Sequence, residues 1–120
     1  MNKEEFVDFL RDDVAPGLLA SACRATASPS GRVVSPEQRA LSAWCKGLRA
    51  EERAHFEAAL KRAVDLSLFS VLCILDGVED SPASLKGGKL KVIYVAEDGA
   101  EAVVSDPDVG AYLHEMFNAA

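Results

Sequence analysis

Between Glu51 and Asp76 the apolar residues recur at steps of three and four. Phe56, Leu60, Val64, Leu68, Val71, Leu72 and Leu75 fall on one side of an α-helix. From Leu66 onward the opposite side fills as well, with Leu66, Phe69, Cys73 and Ile74. A helix that is apolar all round has to be wrapped by other elements. The pattern therefore predicts a central buried helix over 51–76. Leu68–Leu75 taken alone also fits a buried strand, but the stripe from Phe56 continues through it in phase and without a breaker, which favours helix.

The flanking segments carry their own punctuation. Asn2 with Glu5 three residues later is a capping-box pattern, and Phe6, Phe9, Leu10 and Val14 give the expected buried side of a first helix. Pro16-Gly17 predicts a bend or break, with helix resuming to about Ala25. Thr26–Ser35 reads as an exposed connection. Ser35-Pro36 with Gln38 starts the next helix, whose stripe is Leu41, Trp44, Cys45 and Leu48; on that stripe Trp44 is expected in the core. Glu51 and Glu52 suit the positive end of the helix that follows, and Asp76-Gly77 closes it. Val78–Lys89 is a loop. The period then changes to two: Leu90–Ala96 reads as a strand, Glu97-Asp98-Gly99 as a turn, and Ala100–Val104 as the returning partner. Ser105-Asp106-Pro107-Asp108 predicts a last helix, capped by Asp106 or Ser105 with Pro107 in its first turn and buried through Val109, Leu113, Met116 and Phe117. The expected fold is a single α+β domain over 1–120, mostly helical, with about four helices and one antiparallel hairpin near 90–104.

Composition narrows the class. A 120-residue chain that is 49% hydrophobic suits one globular domain. Its apolar run between Asp65 and Asp76 is far shorter than the roughly 20 residues of a membrane span. The start, MNKEEFVDFL, is acidic and two-faced, unlike a secretory signal, so the expected location is the cytoplasm. Cys23, Cys45 and Cys73 are odd in number and widely spaced, which argues against a disulfide framework and against paired zinc ligands. Six of the 19 acidic residues, Glu97, Asp98, Glu101, Asp106, Asp108 and Glu115, lie after Ala96 with no Lys or Arg among them. The 13 acidic residues before them balance the 13 basic ones, so the whole net charge of −6 belongs to this terminal stretch. Such a stretch repels phosphate backbones and attracts a basic partner.

No catalytic constellation emerges. His55 follows Glu51 and Glu52 by one turn, a geometry that suits a general base, but no nucleophile is paired with it. Asp65 and Asp76 lie roughly 16 Å apart on one helix, beyond the carboxylate separations of about 9.5 Å or less used in glycoside hydrolysis. Asp65 borders the apolar stretch, and burial there would demand a partner such as Lys61 or Arg62. His114-Glu115 lacks the second histidine of HExxH, Leu85–Leu90 departs from the phosphate-loop pattern and precedes a strand, and no acidic stretch fits the calcium-loop spacing.

In type, a small acidic chain without an active-site motif, the sequence resembles bacterial accessory proteins such as toxin-neutralising immunity proteins. That resemblance implies a non-enzymatic role in which carboxylates cover a basic site on a protein partner. The leading expectation is a non-enzymatic protein-binding module, without cofactor or metal, whose contact surface holds Glu97, Asp98, Glu101, Asp106, Asp108 and Glu115. One rival is a small enzyme with His55 or Asp65 as its base. Another is a homodimer in which the hairpin or last helix pairs with its copy.

Overall fold

The protein is described by a computed structural model covering residues 1–31, 33–78 and 87–119. The elements are α1 (Lys3–Phe9), a π turn (Leu10–Val14), α2 (Ala15–Ala27), α3 (Pro36–Lys46), α4 (Ala50–Asp76), β1 (Val92–Val95), β2 (Glu101–Ser105) and α5 (Leu113–Asn118). Because α1, the π turn and α2 follow one another without a gap, they count as one helix. The fold is therefore a small α+β domain of four helices and a two-stranded antiparallel sheet among the described residues.

Local chemistry sets most boundaries. Asn2 and Glu5 form a reciprocal capping box on α1, and Ser35 and Gln38 do the same on α3. The irregularity expected at Pro16-Gly17 takes the form of the π turn just before it. The widened turn precedes the residue whose missing N–H would otherwise interrupt the ladder, and helix resumes at once. α4 closes with Gly77 at φ +72°, Gly77 N–H bonded to Ile74 O and Val78 N–H to Cys73 O. That pair of bonds is a Schellman motif.

Within the domain the chain forms two compact units, Met1–Asp13 with Leu66–Ala120, and Val14–Asp65. In the first, Val7, Leu72, Leu113 and Phe117 form the buried core, with Phe6, Leu10, Leu68, Phe69, Leu75 and Met116 packed around it. α1 lies against α5 and β2. In the second, α2 packs on α3, and Ser42 Oγ donates to Ala27 O at 2.6 Å. Its buried apolar residues are few: Ala15 and Cys45 among those described.

Four expectations are corrected by burial. The apolar end of α4 is covered on one side only, since Leu72 and Cys73 are buried whereas Leu66, Val71 and Ile74 are exposed. The core is narrower than the composition allows, so it needs one face of this helix and not two. Val7 takes the inward position on α1, and Phe9 is exposed. Trp44 is 52% exposed because Ser42 and Cys45 hold the inner face of α3, with the serine hydroxyl satisfied by the backbone of α2. The last helix does not start at Pro107. Asp106–Val109 forms a turn closed by Val109 N–H to Asp106 O, Gly110 has φ +78°, and helix begins only at Leu113. Asp106 is therefore a turn residue, and Val109 is exposed.

The hairpin matches its expected position. Ile93 pairs with Val103, Tyr94 with Ala102, and Val95 with Glu101. A bulge before Ile93 makes Val104 an extra residue, and Val104 and Ser105 are buried there. The lead-in segment Leu85–Leu90 is described only from Gly87 onward, and most of the loop Val78–Lys89 lies outside the described residues.

Candidate functional site

Cross-strand partners point to the same side of a sheet. One face of the hairpin therefore carries Ile93, Val95, Val103 and Glu101, and all four are exposed. The turn between the strands is built by Gly99 at φ +89°, by Ala96 N–H bonded to Ala100 O, and by Asp98 Oδ1, which accepts the Ala100 N–H at 2.9 Å. Glu97 is exposed at this tip, and Glu115 is exposed on α5. Glu97, Asp98, Glu101 and Glu115 form no ion pair among the described residues.

Asp106 and Asp108 behave differently. Lys89 Nζ donates to Asp106 at 2.8 Å and to Asp108 at 2.7 Å, and Lys91 lies 3.4 Å from Asp106. The Lys89 bond, backed by the Asp108 N–H and by Lys91, holds the Asp106 carboxyl down at about 2. Lys89 is correspondingly raised, first by Asp106 and then by Asp108. The structure thus divides the six acidic positions. Two are compensated by lysines that precede the hairpin, one serves the turn, and three stand open. Lys89 and Lys91 are unanticipated counter-ions; their signal is two like charges at a spacing of two, which places them on one side of an extended chain.

The other acids and histidines have separate fates. His55 is exposed, and Asp65 is half-buried with Lys61 3.5 Å away. Asp76 is buried, its side chain 2% exposed. Its carboxylate accepts the N–H groups of Leu113 and His114, both at 2.9 Å, and lies 2.6 Å from His114 Nδ1. Asp76 is therefore a long-range cap for α5, which has no capping side chain at Tyr112. The His114 ring stacks on Tyr112 and meets Phe69 edge-on, with centroids 5.5 Å away in each case. A carboxylate-held imidazole also occurs in catalytic sites, but here the carboxylate's other bonds fasten a helix end. No sequence signal announces this contact, because 37 residues separate Asp76 from Leu113.

A cleft of about 390 Å³ lies in the Val14–Asp65 unit. Cys45, Phe56 and half-buried Cys23 give it apolar walls, and Arg24, Lys46 and Arg53 bring charge to it. Neither His55 nor Asp65 lines it. No group of three or more His, Cys, Asp or Glu among the described residues is placed to hold a metal ion. No helix among the described residues is long and apolar enough to cross a membrane. No protein-family model, curated protein or solved structure matches the chain.

Proposed function

We propose that this chain is a non-enzymatic protein-binding module whose contact surface is the open face of the hairpin and its acidic tip. The observation that carries the reading is the uncovered quartet Ile93, Val95, Val103 and Glu101 beside Glu97, which has no ion pair among the described residues. A two-stranded sheet is marginal without a covering layer, and a cluster of exposed apolar residues beside charge is characteristic of a binding surface. The partner has apolar groups for the valines and basic groups for Glu97 and Glu101. A bacterial immunity or accessory role, in which these carboxylates cover a basic site, is one concrete version, acting in the cytoplasm, where thiols such as Cys23 and Cys45 stay reduced.

The test is differential. Proteins retained from the native organism by the immobilised chain are compared with those retained by E97Q/E101Q. The expected result is one basic protein retained by the parent and lost by the variant. Its association rate with the parent should fall steeply with salt, and the double variant should associate several-fold more slowly with a flatter salt dependence. Identical retention and identical rates would remove the hairpin from consideration.

A further inference from the structure

The Val14–Asp65 unit has an open cleft that its own side chains leave unfilled. Among its described apolar residues only Ala15 and Cys45 are buried, and a space of about 390 Å³ remains where α2, α3 and the first half of α4 contribute walls. This volume falls in the range of small-molecule sites, roughly 300–1,000 Å³. Its lining is unusual in charge. Arg24, Lys46 and Arg53 contribute three positive groups and Glu57 one negative, which leaves an excess of two. Among the described residues Arg24 donates to the Ser21 hydroxyl at 3.4 Å, and none of Arg24, Lys46 and Arg53 has an ion pair. These cations are exposed at the rim of an apolar wall, an arrangement that favours an amphiphilic ligand whose anionic group meets them in charge-assisted hydrogen bonds.

We infer that this cleft is a binding site for a small amphiphilic carboxylate, with its apolar body against Cys45 and Phe56 and its carboxylate among Arg24, Lys46 and Arg53. The guanidinium groups suit a carboxylate because their donors form a planar fork that can grip both oxygens. The assignment is independent of the hairpin reading, since every residue in it lies in the other compact unit.

The protein carries its own reporters. Trp44, the single tryptophan, meets the cleft residue Phe56 edge-on with centroids 5.2 Å away. Cys23 is the half-buried thiol of the cleft. The full chain is titrated with decanoate and, separately, with decanol, while Trp44 fluorescence is followed. Decanoate should produce a saturable, one-site change at concentrations at least tenfold below those needed for decanol. It should also slow alkylation of Cys23 by iodoacetamide. R24Q/R53Q should lose about tenfold in decanoate affinity and leave decanol unchanged; K46Q, a milder change, should lose several-fold. Circular dichroism of each variant confirms folding. Equal binding of decanol and decanoate by the parent would mean an apolar patch without anion recognition and would overturn the assignment. So would the absence of a saturable signal, or decanoate binding undiminished in folded R24Q/R53Q and K46Q.

Discussion

Asp76 ties together two distant parts of the chain through one buried side chain. Its buried carboxylate holds two backbone donors and the His114 ring, so it substitutes for the capping residue that Tyr112 does not provide. Charge-assisted bonds of this kind are costly to break when the partners stay buried. D76N should therefore destabilise the fold by about 2–4 kcal/mol in urea denaturation. H114F keeps both backbone bonds and should cost only about 1 kcal/mol; equal losses would show that the ring contact, and not the cap, dominates. Asp106 makes a pH-dependent contribution. Its carboxyl is lowered from 3.8 to about 2 by Lys89, the Asp108 N–H and Lys91. A depressed acid stabilises the folded state above its unfolded pKa and loses that effect as pH falls through the folded one. The stability gap between parent and D106N should thus be constant at neutral pH and close between about pH 4 and pH 2. A gap unchanged across that window in thermal melts would exclude the lysine pairing. Both residues stand in the same acidic or turn-like sequence context as many others. The local sequence marks Asp76 only as the end of a helix before Gly77; nothing in it announces partners 37 and 38 positions away, whereas Asp65 finds Lys61 one turn back.

At the scale of elements, the readable features are those whose partners lie within a few residues. The two capping boxes close over three positions. The Schellman end of α4 closes over five or fewer, and the Glu97–Gly99 turn joins strands that already alternate. Periodicity located α4 correctly, because an in-phase stripe constrains a helix whatever surrounds it. It overstated burial. Apolar residues all round a helix show that the surface is greasy, whereas covering depends on how much other chain arrives there. Leu66, Val71 and Ile74 remain exposed for that reason. The last helix shows the opposite error. Asp106-Pro107 has good starting chemistry, but the Asp106 carboxylate is spent on Lys89, Lys91 and the Asp108 N–H. Lys3 Nζ further fixes the following segment by donating to Val109 O and Ala111 O at 3.0 and 2.7 Å. Helix therefore waits until Asp76 offers a cap.

At the scale of the whole molecule, two compact units share one continuous chain, passing from one to the other within the π turn and again inside α4. They differ in what fills them. The unit of Met1–Asp13 and Leu66–Ala120 has a core of Val7, Leu72, Leu113 and Phe117, whereas among the described apolar residues of the other only Ala15 and Cys45 are buried. Amide exchange followed by mass spectrometry should accordingly show stronger protection in Leu72–Asp76 than in α3, because opening free energy follows buried apolar contact. Uniform protection across both would contradict this division. The amino-acid order alone determined the α+β class, the span of α4, three helix starts or ends, and the hairpin with its turn. Each of these depends on periodicity or on hydrogen bonds between near neighbours. The tertiary structure alone decided which acids are neutralised, which face of α4 is covered, where α5 begins, and which cations gather at the cleft. Those outcomes depend on groups brought together from distant positions, and a side chain's burial or charge balance is a property of its neighbours in space.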